Sequence, residues 1–324
     1  MSSSARLAAA GMTTSTVVAL TAGLSMLQPL STDLYLPTLP AIAAHFDASV
    51  ATVQWTLSAF IAVFGLWQLV AGPLTDRYGR YPLIAAGATV YALASALCML
   101  APSIAVLVAG RALQGLGAST CLVGARGFVR DLYTPSEGAR VIAGAATIMS
   151  FAPLLGPIVG AQLANAFGWR AAFAALAVFA LALALFAALR LKETNTRRNP
   201  HALAPGPMLR TYGQVLRSPA FRAYAFAAAA TYGGLFAFIS GSSFVLMRTL
   251  GQSATAYAFS FSTMVAGYLV GTLACRRLLP RQGMQRTIAA GALLQAAAGV
   301  AMAALALAGV HAPPAITVPM SMSR

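Results

Sequence analysis

Two ionisable residues stand where the sequence otherwise avoids charge. Asp33, in the stretch PLSTDLYLP (29–37), follows the apolar run TVVALTAGLSML (16–27). Arg111 opens RALQGLGAST (111–120) and follows the apolar stretch IAVLVAG. An acid and a base in apolar surroundings can hold a proton-dependent balance of charge. Burial favours the neutral acid, and a nearby cation favours the ionised one. A molecule entering between them tips that balance, so binding and proton movement become linked. Left facing lipid at the bilayer centre, each charge would cost about 2.5–3.5 kcal/mol, so both belong on a shared interior or a water-filled cavity. Gln114, three residues on from Arg111 and on the same helical face, could hydrogen-bond into the same space. The competing reading of Asp33 is a cap at a broken helix end, since Pro29, Pro37 and Pro40 lie near. That of Arg111 is a donor to backbone carbonyls.

No other grouping suggests chemistry. His45, His201 and His311 are scattered in loops with no metal-ligand spacing. Cys98, Cys121 and Cys275 form no CxxC pair. There is no GxSxG, no P-loop and no pair of carboxylates on one helix. The chain therefore reads as a non-enzyme with no metal and no cofactor. A polytopic membrane enzyme is the weakest alternative.

The elements that must carry Asp33 and Arg111 follow from composition. The chain has 324 residues, 59% hydrophobic and 8% charged, with mean hydropathy +0.76. A soluble domain carries about 25% charged residues. Runs near 20 apolar residues, enough to cross a bilayer, fall at roughly 15–39, 52–73, 82–101, 103–125, 140–163, 168–190, 220–245, 255–275 and 287–310. The expectation is an all-α polytopic membrane protein of about nine spans. Residues 1–14 form an N-terminal tail, 15–190 a six-helix bundle, 191–219 a polar linker without apolar period, and 220–324 an incomplete second bundle of three helices plus a stub. Net charge is +15. With the N-terminus taken as cytoplasmic, the basic residues fall on that side except Arg170 and Arg248, with Arg111 inside a span and Arg324 in the tail. The charge is thus a topology signal, and nucleic acid is excluded as a partner.

On this layout Asp33 lies six residues inside a first helix ending near Leu39, and Arg111 eight residues in from Ser103. At 1.5 Å per residue those are about 9 and 12 Å from the same boundary. The loop after the second span, GPLTDRYGRYP from Gly72, places Asp76, Arg77, Gly79 and Arg80 in about eight residues. We expect a gate latch there that holds helices of the bundle in the outward-facing state, against simple positive-inside anchoring. A degenerate echo, GTLACRRLL, begins at Gly271. Gly156, Pro157 and Gly160 combine a kink with close helix approach, and are expected to make a flexible seam between bundles. Tyr35, Trp55, Phe60, Phe64, Gln68, Met149, Tyr232 and Phe236 are candidates to line a substrate cavity with Gln114. Packing is the competing reading for most of them.

These motifs carry a resemblance. GPLTDRYGRYP resembles the signature loop of the major facilitator superfamily, and RALQGLGAST is similar to its fourth-helix motif. LLGPIVGAQL (154–163) resembles the fifth-helix motif of its drug:proton antiporters, with Ala152 and Ala161 where Gly is usual. STDLYLPTLP (31–40) is similar to the bicyclomycin-resistance (Bcr/CflA) type of multidrug exporter. The resemblance implies twelve helices in two bundles, against nine here, so the chain reads as C-terminally truncated. It further implies a monomer in the bacterial inner membrane that exports small-molecule drugs by alternating access. The proton gradient would be the energy source, Asp33 and Arg111 the coupling pair, and protons and the lipid bilayer the other partners. A non-transporting remnant is the alternative.

Overall fold

In the computed structural model, residue 7 and residues 11–196 and 198–308 are described. Most of the expected tail, Arg197 and everything after residue 308, the expected stub included, lie outside the described residues, as does the side chain of Cys275.

Helix α1 (Thr14–Asp33) begins at Thr13, whose side chain accepts the Thr16 N–H. It ends at Asp33 because of Pro37, which has no N–H for the carbonyl four residues back and whose ring crowds that position. A 3₁₀ turn (Leu36–Thr38) and the short α2 (Leu39–His45) follow. The expected single helix running to Leu39 is therefore broken at the acid itself. A carboxylate there sits at the negative end of the helix dipole, the wrong end for a structural cap.

Helix α3 (Val50–Tyr78) starts at a Ser49 cap and α4 (Arg80–Met99) follows after one residue, Gly79, at φ 109°. The expected loop of about eight residues is thus a single glycine, and Gly72, Asp76 and Arg77 are helical. Helix α5 (Ile104–Leu132) is capped by Ser103. The capping box of Thr134 and Glu137 starts α6 (Pro135–Met149), and α7 (Phe151–Phe167) continues it. The break between them has the same cause as in α1: Pro153 offers no N–H to the carbonyl of Met149. Helix α8 (Arg170–Arg190) closes the first half.

The linker is not structureless. It contains α9 (Pro205–Arg217), whose Met208, Leu209, Tyr212, Val215 and Leu216 keep helical spacing. The polar reading of 191–219 missed this period because Pro and Gly surround it. Helix α10 (Pro219–Ser243), a π-helical turn (Phe244–Thr249) and α11 (Ala254–Leu307) complete the described chain. Gly283, at φ 77°, divides α11 where a turn between two spans was expected. Gly271 lies inside α11, so the GTLACRRLL echo is not a loop.

Among the described residues, 7 helices are long and apolar enough to cross a membrane. The expected spans 15–39 and 255–275 form helix but are not among them. The first carries Thr, Ser, Gln and Pro along its length; several side chains of the second lie outside the described residues.

Glycines make α5 the axis of the first half. A Cβ on Gly117 would lie 2.6 Å from the Gly87 carbonyl oxygen and 2.7 Å from the Tyr91 nitrogen on α4, and one on Gly115 would overlap the Phe60 carbonyl on α3. The two halves meet at the face opposite Arg80. Gln54 Nε2 donates to the Ser240 carbonyl at 3.1 Å and Asn165 Nδ2 to Thr255 Oγ1 at 3.2 Å, all near helix ends. Deeper in, Ser262 Oγ donates to the Leu154 carbonyl at 2.9 Å.

Candidate functional site

Arg111 is fully buried on the α5 axis. Its guanidinium carbon lies 4.7 Å from the Tyr35 ring centre and 4.5 Å from that of Phe60, so two aromatic faces enclose the cation. Desolvated contacts of this kind are worth about 2 kcal/mol or more each. One nitrogen donates to Gln114 Oε1 at 2.8 Å, and Nε reaches the Thr56 carbonyl at 3.4 Å. The remaining nitrogen, Nη2, is buried without a hydrogen-bond partner among the described residues.

The surroundings are polar groups set in apolar helices. Gln114 Nε2 donates to Ser95 Oγ at 2.7 Å, and Ser95 donates to the Tyr91 carbonyl at 2.8 Å. The Tyr91 hydroxyl pairs with Ser31 Oγ on α1. The Tyr35 hydroxyl pairs with Thr56 Oγ1 at 2.7 Å, and its ring packs 5.3 Å from Phe173 on α8. Ser31, Thr56, Tyr91 and Ser95 were not legible as site residues, since isolated hydroxyls in apolar runs carry no spacing signal.

Asp33 is buried at 5% exposure, two residues from Tyr35. Its Cβ faces α7, where a Cβ on Gly156 would lie 2.7 Å away. A Cβ on Gly160 would overlap the Leu34 carbonyl. The expected inter-bundle seam at these glycines is therefore a seam against the end of α1, within the same half. The other face of α7 meets the second half, through Leu154 and Asn165. Tyr35, which lies against Arg111, is two residues on from Asp33.

The candidate cavity residues separate. Tyr35, Phe60 and Gln114 are sealed inside the bundle. Phe64, Gln68, Met149 and Phe236 are half-buried, and Trp55 and Tyr232 are exposed.

At the basic face, Arg80 is 3% exposed and pairs with Asp76 at 2.8 Å and Asp131 at 3.0 Å. It also donates to Thr75 Oγ1 at 2.7 Å. Arg130 reaches Asp76 at 3.4 Å. The linker straps onto this cluster. Glu193 accepts the Arg80 backbone N–H at 3.0 Å, and Asn195 Nδ2 donates to the Asp76 carbonyl at 3.1 Å. A Cβ on Gly79 would overlap the Glu193 carboxylate. Arg77 stays outside, with its guanidinium carbon 5.3 Å from the Tyr78 ring centre. The named partners belong to the first half and the linker, and the cluster is intact while the halves join at the other face. Asp131 and Glu193 were missed, although they are two of only 6 acids in the chain; scarcity was the available signal.

Comparison with known proteins fits this arrangement. The family described as Major Facilitator Superfamily matches residues 21–323. The chain is 36% identical over 240 residues to the MFS-type transporter YdgK of Bacillus subtilis, covering 74% of this chain and 60% of that protein. It is 28% identical over 277 residues to the bicyclomycin resistance protein homolog of Haemophilus influenzae, covering 86% and 70%. A bacterial homolog of the human lysosomal transporter Spinster has the same fold, with TM-score 0.70 at 19% identity, over 96% of this chain and 74% of that one. The chain thus spans 60% of the length of the first of these relatives. It is a multi-pass membrane protein of a transporter family, not an enzyme, and it belongs to the Major Facilitator Superfamily, among the relatives of its drug exporters.

Proposed function

We propose that the chain exports small-molecule drugs across the bacterial inner membrane by alternating access, in exchange for protons, with its N-terminus and basic face in the cytoplasm. The observation that carries this reading is that an acid and a base are both buried in the first half, with Tyr35, two residues on from Asp33, lying against Arg111, whose Nη2 has no hydrogen-bond partner among the described residues. An intramembrane acid and base are expensive unless they work. The name of the Haemophilus influenzae relative points to the same substrate class. In this reading Asp33 takes a proton from outside and releases it inside, and cargo and proton alternate at the site. Arg111 biases the acid toward its charged form. No cofactor takes part; one charge crossing 100 mV supplies about 2.3 kcal/mol. The chain acts as a monomer. The halves hydrogen-bond at the end opposite the basic face, which in this reading is the outer end.

The test is accumulation of ethidium and of bicyclomycin in cells without their own exporters. We expect lower accumulation with this chain than with Asp33→Asn, and loss of the difference when a protonophore is added. Equal accumulation with Asp33→Asn and the parent sinks the coupling. A chain that is inserted in the membrane yet matches the empty vector sinks export itself and leaves the non-transporting reading.

A further inference from the structure

The linker helix α9 has no buried residue and a sharp division of faces. At about 100° per residue, Met208, Tyr212 and Val215 share one flank, Leu209 and Leu216 lie a quarter-turn round, and Arg210 and Arg217 lie a further quarter-turn on. On the first flank Met208 and Tyr212 are half-buried and Val215 is exposed. The Tyr212 hydroxyl donates to the carbonyl of Leu69 on α3. That carbonyl is the one Pro73 leaves without its helical donor, four residues on. Tyr212 thus fills a defect in a spanning helix and fixes α9 beside it.

Among the described residues nothing covers the leucine flank: Leu209 is 66% and Leu216 59% exposed, and Leu66 and Leu69 on α3, which carries the Tyr212 contact, are exposed as well. Only Ser218 separates α9 from α10, which starts a candidate membrane span. The end of α9 is therefore held at the level where the chain enters the bilayer. Arg222 follows one turn into α10, so three arginines gather at that boundary with no acid between Glu193 and the end of the chain.

We propose that α9 is a lipid-binding helix for anionic phospholipids of the adjacent leaflet. Leu209 and Leu216 enter the acyl region, Tyr212 anchors the helix to α3, and Arg210 and Arg217 bind headgroup phosphates from the outer flank. A helix with one apolar and one basic face lies in the interface in this way, and basic residues beside a span attract anionic lipid. The inference rests on the membrane reading alone and stands whether or not the chain exports drugs.

The test uses the full chain with Trp55, Trp67 and Trp169 each replaced by Phe, so that Leu216→Trp supplies the single tryptophan, in vesicles of phosphatidylcholine with 30% phosphatidylglycerol. Acyl-brominated lipid of one headgroup or the other quenches the tryptophan on contact. The same substitution at lipid-facing Leu185 serves as the reference. We expect the tryptophan introduced at Leu216 to be quenched, and brominated phosphatidylglycerol to be enriched about fivefold over brominated phosphatidylcholine at equal mole fraction, from about 1 kcal/mol for the one arginine that each headgroup meets. Arg210→Gln with Arg217→Gln should bring the enrichment to that at the reference. Three results overturn the proposal: an unquenched, water-exposed tryptophan; an unquenched but water-shielded one, which means protein covers the face; and quenching with no headgroup preference.

Discussion

Gly156→Ala tests the contact that positions Asp33. The new methyl would stand 2.7 Å from the Asp33 Cβ. Carbon atoms settle at about 3.5–4.0 Å, so α7 or the end of α1 must give by about 1 Å. Overpacking on this scale costs about 1–3 kcal/mol, while alanine's helix preference returns about 0.5–1 kcal/mol. The expected net loss is about 1–2 kcal/mol, and a lower melting midpoint by a few degrees for the purified chain in detergent. Gly144→Ala is the matched control, because its Cβ meets Val18 Cγ1 at an ordinary 3.5 Å; it should be neutral or stabilising. Gly160→Ala should be worse than Gly156→Ala, because its obstacle is the Leu34 backbone carbonyl. The decisive arm is Asp33→Gly. Removing the opposing Cβ should abolish the penalty of Gly156→Ala, so the two changes are strongly non-additive. If Gly156→Ala melts with Gly144→Ala, or if its penalty survives in Asp33→Gly, Asp33 is not held by α7 as described.

Further outcomes follow from the same contacts. Arg80→Gln should destabilise by about 1.5–3 kcal/mol, measured as a loss of melting midpoint, and Arg80→Lys by less. Lysine keeps the charge but cannot serve Asp76, Asp131 and Thr75 from one planar head. Gly79→Ala should lower stability through both its φ of 109° and the Glu193 carboxylate; Glu193→Ala should rescue only the second part, leaving a residual deficit in the double variant. Tyr35→Phe, which keeps the ring over Arg111 and loses the bond to Thr56, should cost about 1 kcal/mol. Tyr35→Leu, which loses the ring too, should cost about 2 kcal/mol more in the same melting assay.

What the sequence made legible follows from where its signals are local. Ser49 and Ser103 cap helices within three residues of their own backbone, so the starts of α3 and α5 could be read directly. Asp33 and Arg111 stood out because charge is scarce in apolar runs, and Gln114 by its spacing. Breaks were harder. Pro37 and Pro153 each act four residues back, which moved the end of α1 to Asp33 and split α6 from α7. Gly72 to Tyr78 read as a loop because Pro, Thr, Asp and Arg look polar, yet a helix that outruns the bilayer can be polar at its end. The partners of Arg80 were illegible for a different reason. Asp131 and Glu193 are 51 and 113 residues away in sequence, and only the packing of α5 and the return of the linker bring them together. The orientation of Gly156 toward α1 was likewise a property of packing, since both faces of α7 carry small residues.

The central claim is that Asp33 exchanges its proton as cargo comes and goes. The most direct measurement is of a pre-formed pH gradient across everted membrane vesicles containing this chain, followed with a pH-sensitive dye on addition of ethidium or bicyclomycin. The account predicts that cargo dissipates the gradient with the parent chain and leaves it standing with Asp33→Asn, although that variant still binds the cargo. Dissipation of equal size in both, or none with the parent, contradicts it.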